Sequence, residues 1–167
     1  MKTVVFSLLA LLLFAFPAQA LVQTGTSVPA VSLPDTDMTP HALPELMQGK
    51  VAMVVYWSLT CPHCHQAMPH FLFMNKRLTG NNFIMIFVNS DGVYMAEATA
   101  NYAREQKMPA PWLIDEGADD SMPLAQALDV VATPSVFVFD VDGKLIEAQE
   151  ADSVDIDKLM EIIQKAF

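Results

Sequence analysis

Apolar and polar residues alternate in blocks along this chain, and the blocks predict an order of strands and helices. Unbroken apolar runs at 51–57 and 83–88 are rich in β-branched and aromatic residues, which is typical of strands buried on both faces of a sheet. A segment of helical composition follows each run, at 62–78 and 93–107, and Gly, Asn or Pro residues mark where it ends. The middle of the chain therefore predicts parallel strands joined by helices.

The last third of the chain predicts an antiparallel hairpin and a closing helix. Strand-like runs at 136–139 and 144–149 flank the sequence Asp-Val-Asp-Gly at 140–143, which is a turn signal. Between 153 and 166, apolar residues recur mainly at three- and four-residue spacing, as on the buried face of an amphipathic helix. The hairpin adds antiparallel strands at one side of the predicted sheet.

The remaining elements are predicted to be short. They are a strand near 30–33, a helix at 43–48, a strand at 112–114 and a helix at 122–128. Ser121 is the predicted N-cap of the last of these. The whole pattern predicts one α/β domain, in which helices flank a mixed central sheet.

The first twenty residues have the pattern of a secretory signal peptide. Lys2 precedes an apolar stretch at 4–16, and Ala18-Gln19-Ala20 has the small residues of a cleavage site. The apolar stretch is shorter than the roughly 20 residues of a membrane-spanning helix, and an uncleaved anchor is the alternative interpretation. We predict a signal peptide at 1–20, a single mature domain at 21–167, and a periplasmic location without stable insertion in the membrane.

The excess of acidic residues disfavours two classes of partner. The chain has 19 acidic and 9 basic residues, which gives a formal net charge of −10 at pH 7. A surface of this sign repels nucleic acids and anionic lipids, so neither is an expected partner. The acidic runs at 115–120 and 150–157 lack the spacing of an EF-hand calcium loop and are interpreted as solvated surface.

The only two cysteines, Cys61 and Cys64, form a C-x-x-C motif at the start of the helix predicted over 62–78. A disulfide between them would close a very short loop and stabilise the fold little, so a redox role is favoured over a structural one. Free backbone N–H groups and the helix dipole favour the thiolate of Cys61, which predicts a lowered thiol pKa. Pro62 suits the first helical turn, and His63 would stabilise the thiolate further. Cys64, one turn into the helix, is the predicted resolving thiol.

Several short sequence features carry a resemblance to a known fold. They are Gly49-Lys50 before the first central strand, Tyr56-Trp57 before the cysteines, Cys61-Pro62-His63-Cys64, Pro69, and Thr133-Pro134 before the hairpin. Over about residues 28–167, the chain resembles the thioredoxin-fold thiol–disulfide oxidoreductases, and most of all the extracytoplasmic TlpA/ResA group.

The resemblance implies a thioredoxin fold and a role for each matching residue. Cys61 would be the nucleophile, and Cys64 would resolve the mixed disulfide. Thr133 and Pro134 would form a loop with a cis peptide bond beside Cys61, which binds a substrate strand through backbone hydrogen bonds. Trp57 would pack in the core or wall of the site, or contact the substrate. No cofactor is implied; the implied partners are thiol- or disulfide-containing substrate proteins and a membrane or periplasmic redox partner.

Two features of the motif leave the direction of the reaction open. Val55 and Ala67 occupy positions at which thioredoxins and the TlpA/ResA group, respectively, place a carboxylate near the resolving cysteine. The Pro-His pair at 62–63 is instead that of the DsbA-type oxidases, whose long helical insertion does not fit between 83 and 134. The scaffold therefore favours a reductase, and the dipeptide favours an oxidase.

A metal or haem site is the alternative interpretation of the motif. Cys61, Cys64 and His65 match the C-x-x-C-H sequence that attaches c-type haem, with His65 as the axial ligand. The same side chains, together with His70, could also hold copper or zinc. The strand-rich pattern around the motif disfavours a small helical cytochrome, and structural zinc needs four ligands and a reduced cysteine pair.

Overall fold

The structure is a computed structural model, and it describes residues 22–167. The predicted signal peptide at 1–20 lies outside the described residues. Within the described residues, none of the helices has the length and apolar composition to cross a membrane. In chain order the elements are β1 (Ser32–Pro34), β2 (Pro40–Ala42), α1 (Leu43–Met47), β3 (Val51–Trp57), α2 (Pro62–Leu78), β4 (Phe83–Asn89), α3 (Ala96–Gln106), β5 (Trp112–Ile114), α4 (Pro123–Ala127), β6 (Ser135–Phe139), β7 (Leu145–Glu150) and α5 (Ile156–Lys165).

A mixed five-stranded sheet in the order β5-β4-β3-β6-β7 forms the centre of the fold. The middle strand β3 pairs in parallel with β4, in register from Val51 with Phe83 to Trp57 with Asn89. On its other side β3 pairs antiparallel with β6, which continues into the β6–β7 hairpin. The predicted α/β architecture, with parallel central strands and a hairpin at one side, is confirmed.

The core has two layers, one on each face of this sheet. Odd-numbered residues of β3 pack in the layer that includes α2, α3 and α5, and even-numbered residues pack in the layer that includes α1, α4 and β1. Every residue of β3 is buried, which explains why its sequence is continuously apolar instead of alternating. Val55 is one of the odd-numbered residues, so the position where thioredoxins have a carboxylate is filled here by apolar packing.

The structure places some helix boundaries differently from the sequence pattern. The helix predicted over 93–107 is divided into a 3-10 turn, Val93–Met95, and α3. The helix predicted over 153–166 begins at Ile156, after a second 3-10 turn at Ala151–Ser153. Asp155 caps α5 by accepting from the backbone N–H of Lys158 at 3.0 Å, which fixes the later start.

Two further differences concern the short elements. The strand β2 was not predicted, because proline at its first residue interrupts the pattern, although an edge strand tolerates proline there. The prediction that Ser121 caps α4 was wrong. Asp115, just after β5, accepts instead from the backbone N–H groups of Leu124 at 2.8 Å and Ala125 at 2.9 Å, so a residue distant in sequence caps this helix.

Candidate active site

The two cysteines lie where the central strand β3 leads into α2. Cys61 is the N-cap of α2, and Pro62 is in its first turn. Cys61 and Cys64 form a disulfide with their Cα atoms 5.3 Å apart, and the backbone N–H of Cys64 donates to Cys61 Sγ at 3.1 Å. Cys61 is 9 % exposed and Cys64 is 1 % exposed. Cys61 is therefore the more exposed of the two cysteines.

A carboxylate at the end of the neighbouring strand holds the loop that leads to Cys61. Asp91 accepts from Ser58 Oγ and from the backbone N–H of Leu59, each at 2.6 Å. Asn89, buried at the end of β4, donates to the same carboxylate at 2.8 Å. Because β3 and β4 are parallel, the loops at their carboxyl ends meet at one edge of the sheet, and Asp91 joins them.

His65 fixes the same loop from the side of α2. Its ring Nε2 lies 2.7 Å from the carbonyl oxygen of Leu59, and its Nδ1 lies 2.9 Å from the hydroxyl oxygen of Tyr102 on α3. The Tyr102 ring also packs on Trp57, with ring centroids 5.1 Å apart. Trp57 is buried in the core layer beneath α2. In this structure Trp57 therefore packs in the core of the site and is not part of its exposed surface.

The residues suggested for a metal or haem site have other partners in this structure. The two cysteine sulfurs are bonded to each other, and both ring nitrogens of His65 have hydrogen-bond partners within the protein. Between residues 22 and 167, no group of three or more His, Cys, Asp or Glu side chains is placed to hold a metal ion. In this disulfide form, the side chains of Cys61, Cys64 and His65 are therefore all engaged within the protein.

The loop before β6 lies directly beside the disulfide. The Thr133–Pro134 peptide bond is cis, as the resemblance implied. The carbonyl oxygen of Thr133 lies 3.4 Å from Cys61 Sγ. On the other side of the loop, the carbonyl oxygen of Pro134 accepts from the backbone N–H of Ala151 at 2.7 Å. The structure thus brings Thr133 and Pro134 next to the C-x-x-C motif, from which they are distant in sequence.

His63 lies on the Pro134 side of this loop and faces an acidic side chain. Its Nδ1 is 3.1 Å from Asp152 Oδ1, and both side chains are exposed. The pair borders a cavity of about 300 Å³ that is also lined by Pro134 and His70. Among the described residues, His63 forms no hydrogen bond with either cysteine sulfur. In the disulfide form its polar partner is Asp152.

Three residues that surround the motif were missed from the sequence. Asp91 had a usable signal, because it follows a strand predicted to run parallel to the one before Cys61. Tyr102 and Asp152 had no signal in the sequence. The packing of α3 brings Tyr102 to His65, and the turn after β7 brings Asp152 to His63. Long-range contacts of this kind cannot be inferred from local patterns.

Comparisons with known proteins agree with this architecture. A model of the AhpC/TSA family matches residues 24–148, and no curated protein matches the chain. Solved structures of similar fold include a thiol:disulfide interchange protein of the thioredoxin family from Chlorobium tepidum TLS, with 18 % identity, coverage of 87 % of this chain and 97 % of that chain, and a TM-score of 0.69.

Two other solved structures are similar to the same extent. The thioredoxin domain of a thiol-disulfide oxidoreductase from Bacteroides vulgatus has 19 % identity, coverage of 85 % of this chain and 99 % of that chain, and a TM-score of 0.70. A putative thiol:disulfide interchange protein DsbE from Chlorobium tepidum has 21 % identity, coverage of 87 % and 98 %, and a TM-score of 0.66. At these identities the similarity establishes the fold, and the thioredoxin-like fold predicted from the sequence is confirmed.

Proposed function

The chain belongs to the AhpC/TSA family of thioredoxin-fold proteins, and from this premise we propose that it is a thiol–disulfide oxidoreductase that exchanges disulfides with substrate proteins. The family and the C-x-x-C pair support an oxidoreductase. The observation that carries the proposal is the position of Cys61, which begins α2 and has its sulfur 3.4 Å from the Thr133 carbonyl oxygen.

The exchange proceeds in two displacement steps. A substrate thiolate attacks Cys61 Sγ, the substrate–Cys61 disulfide forms, and the Cys61–Cys64 bond breaks with both bonding electrons going to Cys64. A second substrate thiolate then attacks the substrate sulfur of the mixed disulfide and releases the Cys61 thiolate. The substrate dithiol loses two electrons and two protons, and the Cys61–Cys64 pair takes up the electrons. When the pair acts as a reductant, the same steps run in reverse.

The local structure supports Cys61 as the sulfur that is attacked. Cys64, within α2, is 1 % exposed, whereas Cys61, at the helix start, is 9 % exposed and is the more accessible of the two. When Cys61 is released as a thiolate, the backbone N–H of Cys64 already points at its sulfur and the positive end of the helix dipole lies beside it. The backbone of Thr133 and Pro134 next to it is the proposed binding edge for a substrate strand.

Substitution of each cysteine tests these roles. In the Cys64→Ser variant, attack on substrate through Cys61 leaves a mixed disulfide that cannot be resolved, so a stable adduct accumulates. The Cys61→Ser variant should lose disulfide exchange and should trap little adduct, because Cys64 is buried. Non-reducing gels and mass spectrometry after mixing with a disulfide-bonded substrate measure both. Equal trapping by the two variants would contradict the assignment of the nucleophile.

The proposed location is the periplasm, with residues 1–20 removed as a signal peptide and residues 21–167 as the mature domain. The charge and apolar pattern of the first twenty residues supports this location. The finer placement in the TlpA/ResA group stays a prediction. Cell fractionation, with the intact mass of the recovered protein, checks the location: a mature chain beginning near Leu21 is expected, and an intact Met1 in the membrane fraction would contradict it.

A further inference from the structure

A groove leads away from the disulfide on the Thr133 side of the loop before β6. It consists of two adjoining cavities of about 270 and 410 Å³, and Ser90 and Met122 line both of them. The first cavity reaches Val131 and Thr133, whose carbonyl oxygen lies beside Cys61 Sγ. We call the two cavities together the acidic groove, because carboxylates line the second. The groove therefore reaches a residue whose carbonyl oxygen contacts the reactive sulfur.

Large apolar side chains are exposed along the acidic groove. Tyr94 is 83 % exposed, Val131 70 % and Met122 45 %. Single exposed apolar residues are ordinary on protein surfaces, but three along one groove that ends at a reactive site mark a surface for a partner. Tyr94 lies at the outer cavity and Val131 at the inner one. Apolar contact is therefore available along the whole path.

The second cavity also carries negative charge that the protein does not neutralise. Asp91, Glu116 and Asp120 line it. The ion pairs formed within residues 22–167 involve other carboxylates, namely those of Asp35, Asp152, Glu147 and Glu161. Glu116 is held in place by the backbone N–H of Val93 at 2.7 Å, a neutral donor that supplies no opposite charge. A concave surface with charge of one sign concentrates the field and attracts a cation.

We propose that the acidic groove binds a segment of the exchange partner that carries a Lys or Arg side chain and apolar residues next to its reactive cysteine. The basic side chain lies against Glu116 and Asp120, and the apolar residues contact Tyr94, Met122 and Val131. This inference rests on the proposed function, since the groove orients a partner toward Cys61. It adds that partners are selected by positive charge on one side of their cysteine.

Two peptides that differ only in charge test the proposal. Each has one reduced cysteine and the same apolar residues, with two lysines on one side of the cysteine in the first and two glutamates in the second. The rate of attack on the Cys61–Cys64 disulfide is followed by stopped-flow fluorescence or by quenching and mass spectrometry. The lysine peptide should react about tenfold faster at low salt, and its advantage should shrink as salt screens the groove.

Paired variants locate the effect in the groove. The double variant Glu116→Gln and Asp120→Asn removes two charges and keeps an acceptor oxygen at each position. Asparagine also tolerates the positive φ of position 120. It should reduce the advantage of the lysine peptide by about fivefold. The control Glu105→Gln and Asp157→Asn removes the same charge from exposed positions outside the groove and should leave the ratio of the two rates unchanged.

The outcomes separate this inference from the proposed function. Reaction of the disulfide with dithiothreitol, a small uncharged dithiol, reports exchange without docking. If dithiothreitol does not reduce the wild-type pair, the proposed function fails. If dithiothreitol reduces it but the two peptides react equally, or the control variant lowers the ratio as much as the groove variant, the proposed docking surface is overturned and the exchange chemistry stands.

Discussion

The two sides of the Thr133–Pro134 loop differ in how their charges are arranged. On the Pro134 side, the carboxylate of Asp152 has a partner within the protein, since His63 Nδ1 lies 3.1 Å from Asp152 Oδ1 in an exposed pair. On the Thr133 side, Asp91, Glu116 and Asp120 line the acidic groove, and none of them is in an ion pair within the described part of the chain. The Asp152 carboxylate therefore has its partner within the protein, whereas the three carboxylates of the acidic groove can pair with a basic side chain of another molecule.

The carboxylates on the Thr133 side differ in how many hydrogen bonds they accept from the protein. Asp91 and Asp115 accept several hydrogen bonds from the surrounding backbone and side chains. Asp120 is exposed, and Glu116 has one backbone donor. Substitutions of the first two should therefore affect stability, and substitutions of the last two should affect recognition.

The largest effect on stability is expected at Asp91. In the Asp91→Ala variant, the Leu59 N–H and Ser58 hydroxyl lose a charged acceptor in a partly buried loop. We expect the free energy of unfolding to fall by about 2 to 3 kcal/mol, measured by urea denaturation. Glu105→Ala, at an exposed helix position, is the control and should change it by less than about 0.5 kcal/mol. Similar small changes in both variants would show that Asp91 does not hold the loop.

A smaller effect, with a defined pH dependence, is expected at Asp115. Burial raises the pKa of this carboxyl above its ordinary value of 3.8. The folded state therefore favours the protonated form, so the contribution of Asp115 to stability is full below pH 3.8 and declines as the pH rises through the raised pKa. The stability of the wild type relative to Asp115→Asn should therefore fall as the pH rises above 3.8. A difference that grows over this range would contradict the assignment.

Asp119, on the same loop, provides a control of opposite sign. Its hydrogen bond with Ser121 lowers the pKa of the Asp119 carboxyl. The contribution of Asp119 is therefore present above its ordinary pKa and is lost as the pH falls below it. Relative to Asp119→Asn, the wild type should lose stability toward acidic pH. Two acids of one loop should thus give opposite slopes when their unfolding free energies are compared against pH.

The smallest effect is expected on the Pro134 side, at Asp152. The His63–Asp152 pair is exposed, so Asp152→Asn should change the free energy of unfolding by less than about 0.5 kcal/mol. It should shift the reduction potential of the cysteine pair by no more than about 20 mV, measured by equilibration with glutathione. A shift several times larger would mean that Asp152 controls the redox pair through His63, and the contrast between the two sides would be lost.

The parts of this molecule that the sequence pattern predicted are those determined by neighbouring residues. The continuous apolar run of β3 is typical of a strand buried on both faces of a sheet. Proline at position 62 is typical of the first turn of a helix, where α2 begins. The hairpin turn before β7 has the same local origin. The position of Thr133 and Pro134 beside the cysteines came only from resemblance to a family, because no local pattern relates the two segments.

The parts that could not be predicted depend on contacts between distant segments. Asp115 takes over the capping role expected of Ser121, because the strand before it ends beside the start of α4. His65, which has the sequence position of a haem ligand, is engaged by Leu59 and Tyr102 instead. The acidic groove is lined by the loops that follow β4 and β5 and by the loop that precedes β6. These loops lie together because of the order of strands in the sheet.

The most direct test of the account is a redox titration of the wild-type protein in glutathione buffers, with the state of Cys61 and Cys64 read by alkylation and mass spectrometry. We expect a reversible two-electron transition with a midpoint in the range of known exchange proteins. A midpoint near about −120 mV would identify an oxidant and one near about −270 mV a reductant. A pair that stays oxidised throughout, or that never forms a disulfide, would contradict the claim that Cys61 and Cys64 exchange disulfides with substrates.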